Sequence, residues 1–89
     1  MVSTEAIALA AATPIDRVLN SETNRIHVFS TAQALVTVKN AAGVAIFAGL
    51  VDASTPLVHD VGVTTISVTL LSTPGATMYF NQISFWSDN

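Results

Sequence analysis

From Gly62 to Ser87 the chain reads as two apolar-rich strand segments around a Thr-Pro-Gly-Ala turn, and that pattern most restricts what it can fold into. Ile66, Val68 and Leu70 fall on one side, and Thr65, Ser67 and Thr69 on the other. Side chains along an extended strand alternate faces at period two, so this is a half-buried strand. Its β-branched residues suit that state. Pro74 presets the backbone of a turn and Gly75 supplies the positive φ that a type II turn needs next. The returning strand carries Tyr79, Phe80, Ile83, Phe85 and Trp86. The stretch reads as a closing β-hairpin, and a lone hairpin is marginal in water, so other strands must cover its apolar face.

Those strands are visible upstream. Arg25 to Ser30 sets Ile26 and Val28 against His27 and Phe29, and Leu35 to Lys39 matches Val36 with Val38. Asn40-Ala41-Ala42-Gly43 is a hairpin turn leading into Val44 to Val51. There Val44, Ile46, Ala48 and Leu50 share one face while Phe47 and Val51 take the other. Apolar residues on both faces call for cover on both sides, by a second sheet and by a neighbouring subunit or loop. Ile15 to Leu19 is a short strand, Asn20 to Asn24 a polar turn, Asp52 to Pro56 a loop, and Leu57 to Val61 another short strand. Thr4 to Thr13 admits two readings. Its alanines favour helix, but Pro14 leaves room for barely two turns, and Ile7 and Leu9 alternate with alanine. We read it as strand because everything after it is β. In the last strand Phe80 and Ile83 have opposite parity, so either Asn81-Gln82 forms a bulge or Tyr79, Asn81, Ile83 and Phe85 point inward; we favour the second.

The result is an all-β chain, a single small β-sandwich or jelly roll of about eight short antiparallel strands. Residues 1–89 make one domain, with 1–12 serving as its first strand or as an extended arm at an interface.

Charge narrows the function. Only three basic and six acidic residues occur, 10% of the chain, against about a quarter in average soluble domains. Ser and Thr supply the polar surface instead. Such a surface is easily desolvated and suits burial against other protein chains, the alternative being an ordinary domain with a threonine-rich face. A net charge of −3 argues against nucleic acid and against an anionic membrane surface. Met1-Val-Ser-Thr-Glu lacks the positive start of a signal peptide, and the absence of cysteine removes disulfides and thiolate metal sites.

Catalytic chemistry finds little footing. His27 and His59 would need Asp52 or Asp60 as a third ligand to hold a metal, and two ordinary polar side chains are the simpler reading. No nucleophile elbow, phosphate loop or carboxylate pair in a supporting context is present, so we expect no enzyme and no cofactor. Trp86 is a partner anchor or a sugar-stacking platform, with a protein partner ahead of sugar, or else a cap on the end of the sandwich.

The run Thr13-Pro-Ile-Asp-Arg-Val-Leu-Asn-Ser-Glu-Thr-Asn-Arg-Ile-His-Val-Phe resembles small β modules on tailed-phage virions. Leu35-Val-Thr-Val-Lys-Asn, Gly43-Val-Ala-Ile-Phe-Ala-Gly and Tyr79-Phe-Asn-Gln-Ile-Ser-Phe continue the likeness. It is similar to head decoration (cement) proteins and head-fibre bases, small jelly rolls that bind capsid shells and often trimerise. The resemblance implies a structural virion protein made in the host cytoplasm and located on the capsid surface. Its partners would be the major capsid protein and sister copies, in a trimer or a dimer. Contacts are then expected from Val2, Ile7, Leu9, Phe29, Phe47, Tyr79 and Trp86. The closing strand also looks like that of carbohydrate-binding jelly rolls, which gives an alternative function. Asn81 stands where those modules often carry an acidic residue.

Overall fold

The computed structural model describes residues 2–20, 22–61 and 65–84. It contains eight strands: β1 (Val2–Leu9), β2 (Ile15–Val18), β3 (Arg25–Ser30), β4 (Ala34–Asn40), β5 (Ala45–Val51), β6 (Leu57–Asp60), β7 (Thr65–Leu71) and β8 (Ala76–Ile83). They form two four-stranded sheets in the orders β1-β8-β3-β6 (sheet A) and β2-β7-β4-β5 (sheet B). Every pairing is antiparallel. First pairs with last, second with seventh, third with sixth and fourth with fifth. That is one long antiparallel ribbon rolled up until β8 also meets β3 and β7 meets β4. The chain is a jelly roll.

Alternation explains the core. Ile26 and Val28 of β3, Val36 and Val38 of β4, Val68 and Leu70 of β7, and Met78 and Phe80 of β8 are fully buried between the sheets. Each such side chain contributes roughly 1.5–3 kcal/mol of apolar burial. Two buried hydroxyls have partners: Ser30 donates to the Ala32 carbonyl at 2.6 Å and Ser72 to that of Gln33 at 2.8 Å. The Thr4–Thr13 stretch is strand through Leu9, followed by a turn in which Ala12 takes a left-handed φ of 54°. The Ala12 amide donates to the Ser72 carbonyl at 2.8 Å, so the two sheet-crossing corners, β1–β2 and β7–β8, lean on each other. Gly75 has φ +85°, and a Cβ there would sit 3.3 Å from the Leu9 carbonyl.

Two expectations are corrected. The closing stretch is not a hairpin, because β7 and β8 belong to different sheets. The turn is real, with the Gly75 amide donating to the Ser72 carbonyl at 3.3 Å, but it is an arch across the sandwich. A hairpin would lay the Val68–Leu70 and Met78–Phe80 rows side by side on one surface; the arch sets them opposite one another and buries both. The inward parity of β8 is also reversed. Phe80 is 1% exposed and Tyr79 39%, and pairing with β1 runs unbroken from Ala76 to Ile83, so there is no bulge. Phenylalanine has no polar tip to satisfy, whereas the tyrosine hydroxyl stays wet on the outer face. Gln82 keeps the inward parity but lies at the strand's end, where its side-chain oxygen accepts from the Asn20 amide at 2.7 Å and the Thr23 hydroxyl at 2.9 Å.

Candidate interaction surface

Strand β5 is an edge of sheet B, bonded to β4 on one side only. The hairpin that delivers it is built by Asn40, whose side-chain oxygen accepts from the amides of Ala42 at 3.0 Å and Val44 at 3.1 Å, while Gly43 takes φ +79°. Beyond the turn, alternation puts Phe47 and Val51 inward and Ile46, Ala48 and Leu50 outward. The inward side is covered, with Phe47 stacked on His59 of β6 at 4.0 Å between ring centroids and 14° between planes. The outward side is not covered by any described residue: Val44 is 57% exposed, Ile46 48% and Leu50 59%. Register extends this patch inward across the sheet, because Leu35 pairs with both Leu50 and Leu71 and all three point outward. Three leucines thus form a row over β5, β4 and β7. The next row is Ala48, Thr37 and Thr69, also uncharged.

Charge gathers at the far side of the same sheet. Asp16 on β2 accepts from the Thr69 hydroxyl at 2.5 Å and lies 3.5 Å from Lys39 Nζ. The Thr69 hydrogen bond, helped by Lys39, holds the Asp16 carboxyl below its ordinary range. Across the gap between sheets, Arg17 Nε donates to both Glu5 oxygens at 3.0 and 2.9 Å. That bidentate pair ties β2 to β1.

The outer face of sheet A is mixed. Phe29 and Tyr79 are register partners whose rings lie 6.1 Å apart, tilted by 31°. Beside them Asn81 accepts from the Thr4 hydroxyl at 2.7 Å and donates to the His27 carbonyl at 3.0 Å. At the sheet's end Arg25 pairs with Asp60 at 2.6 Å, which lowers the Asp60 pKa.

The residues expected to make contacts are therefore dispersed. Phe29 and Tyr79 are brought together on sheet A, and Phe47 closes the seam between the sheets from inside. Ile7 and Leu9 are core residues, 3% and 4% exposed, and are removed from the surface because β1 is a full member of sheet A, not a detached arm. The Val2 side chain and Trp86 lie outside the described residues. His27 faces outward and His59 inward, so the two imidazoles do not share a site. No cluster of His, Asp and Glu able to hold a metal occurs among the described residues. Ile46, Leu50, Leu35 and Leu71 were missing from the expected contacts. Their signal in the sequence is the second apolar face of Val44 to Val51, which calls for cover by a neighbouring subunit or loop, while Leu35 and Leu71 join it only through register.

Neither a protein-family model nor a curated protein sequence matches the chain. Solved structures do. The Yersinia pseudotuberculosis-derived mitogen superposes with a TM-score of 0.60 at 10% identity, over 100% of this chain and 90% of that one. A Bacillus endospore appendage protein, from a family of disulfide-linked pili, gives 0.53 at 15% identity over 93% of this chain and 88% of that one. The likeness is one of fold. Neither neighbour is a phage decoration protein.

Proposed function

We propose that this chain is a structural assembly subunit that works by burying uncharged β surface against other protein chains. The observation that carries the reading is the bare apolar outer face of β5 with its leucine row, on a chain with few charges elsewhere. Desolvating such a face costs little, and many copies on a symmetric lattice gain avidity from weak contacts. The resemblance to decoration proteins names the lattice as a phage capsid, with the major capsid protein as partner and the virion as location. The fold neighbour from endospore appendages belongs to a family of disulfide-linked pili, a linkage with no counterpart in a chain without cysteine.

The test is co-sedimentation of the purified chain with assembled tailed-phage capsid shells. Saturable pelleting that persists in high salt, together with greater heat resistance of the shells, is the expected result. A chain that stays in the supernatant at every concentration overturns the reading. A glycan-binding module is the second reading, favoured by the Phe29–Tyr79 pair flanked by Asn81 on sheet A. A glycan array with Tyr79→Ala as control decides it, and a blank array ends it.

A further inference from the structure

We infer that β5 is a self-pairing edge, and that two copies of this chain join antiparallel β5 to β5 about a two-fold axis, fusing their B sheets into one. The inference rests on the assembly reading above and names a partner for its surface.

A sheet edge presents unpaired backbone N–H and C=O groups, and natural proteins blunt it with charge, proline, brevity or an inward-pointing ionic group. Three of the four edges here are blunted. Strand β1 carries the inward Glu5, held by Arg17. Strand β2 is four residues long and includes Asp16 and Arg17. Strand β6 is four residues long, follows Pro56 and includes Asp60. Strand β5 has seven residues, Ala-Ile-Phe-Ala-Gly-Leu-Val, with no charge and no proline. Its irregularity is a bulge that leaves Ile46 without a partner in β4, at the hairpin end; Phe47 to Val51 stay in regular ladder.

The complement of a strand edge is another strand, and this sequence fits itself. With the axis at Ala48, alanine faces alanine, Phe47 faces Gly49, and Ile46 faces Leu50. Bulky residues meet small or apolar ones, and Phe47 already covers Gly49 of its own strand, so the backbone approach at that pair meets no side chain on the glycine. Both copies carry a net charge of −3, but none of it lies on β5, so no like charges meet along the paired strands. Edge pairing leaves the outer face of β5 pointing outward, so its apolar contribution is the lateral contact of Ile46 on one copy with Leu50 on the other, at two symmetric places. With about 24 Å of strand edge added, the interface falls at the low end of specific protein contacts, which sets a weak, concentration-dependent dimer. A two-fold contact closes at two copies and so selects the dimer over the trimer that the resemblance favours.

Sedimentation velocity across the micromolar range, paired with hydrogen exchange, tests this. The average mass should climb from 9.3 kDa toward twice that value, while β5 amides gain protection with concentration and β1 and β2 amides do not. Leu50→Lys and Ala48→Lys, both at exposed positions, should each weaken self-association about tenfold or more. Val18→Lys, on the opposite edge at a residue 73% exposed, should leave it unchanged. A mass fixed at 9.3 kDa overturns the inference, as does self-association that ignores both β5 lysines or is abolished by Val18→Lys. None of these outcomes touches the capsid reading, which shell co-sedimentation judges separately.

Discussion

The two long sides of the sandwich are closed by opposite chemistry. On the β1/β2 side a bidentate Glu5–Arg17 pair bridges the sheets, and Asp16, Thr69 and Lys39 extend the polar network over sheet B. On the β5/β6 side the bridge is the Phe47–His59 stack; the outer face of β5 beside it is aliphatic, and the outer face of sheet A carries the Arg25–Asp60 pair. Four of the chain's nine charged residues serve the first side. Charge holds a seam shut while keeping its exterior hydrated, so that side resists further contact. Ring stacking closes the other seam without fixing water outside it, which leaves that side ready for desolvation. On sheet B the described ionic groups thus gather toward β1 and β2, away from the aliphatic outer face of β5.

Replacing Phe47 with alanine should do the greatest damage, about 2 kcal/mol of stability, because a half-buried ring leaves a void next to Leu57 and Gly49. For a domain this size that is a drop on the order of 10 °C in Tm, and added salt should not restore it. Arg17→Ala comes next, at about 1 kcal/mol in dilute buffer, since the Glu5 pair is partly solvent-exposed. Here the difference from the parent should shrink in about 1 M salt, where surface charges are screened. Equal salt sensitivity of the two variants would erase the contrast between the seams.

Acid should act least and selectively. Asp16, Asp52 and Asp60 are all held below their ordinary pKa, Asp16 by the Thr69 hydroxyl and then Lys39, Asp52 by the Ser54 amide, and Asp60 by Arg25. A carboxyl lowered in the folded state adds stability above the unfolded value of about 3.9 and gives it up as pH falls through the lower folded value. Melting curves should therefore be flat down to roughly pH 4 and fall below it. Asp16→Asn should flatten that fall in part, while Phe47→Ala should shift the whole profile and keep its slope. An unchanged profile in Asp16→Asn would show that the Thr69–Asp16–Lys39 network is not coupled to folding.

Much of this architecture could be read from local pattern. Arg25 to Ser30 was legible residue by residue, and Asn40 to Gly43 announced its hairpin through an amide side chain and a left-handed glycine. What failed was long-range. The Ser72–Gly75 turn looks the same whether its strands stay in one sheet or part into two. The decision belongs to β1 and β2, more than fifty residues away, which claim β8 and β7 as partners. Parity in β8 was lost because Tyr79 and Phe80 are adjacent aromatics, and only the opposing Val28 and Ile26 rows decide which one is buried. The interaction surface was half visible. Two apolar faces on β5 demanded two covers, but Ile7 and Leu9 look as sticky on paper as Ile46 and Leu50. Sheet order alone separates the core pair from the exposed pair.

The rolled ribbon also dictates a schedule. Among the four ribbon pairs, only β4 and β5 are neighbours in the chain, so pairing can begin in the middle and must work outward. Strand β1 waits longest for its partner, having no ladder until residues 76–83 have emerged. Distant closure of this kind is slow, on the order of milliseconds to seconds for β topologies. Substitutions in β4 and β5 should consequently slow folding, whereas those in β1 should chiefly hasten unfolding. Until residues 76–83 join the ladder, Ile7 and Leu9 stand bare, and the interval before that closure is when the chain is most open to aggregation.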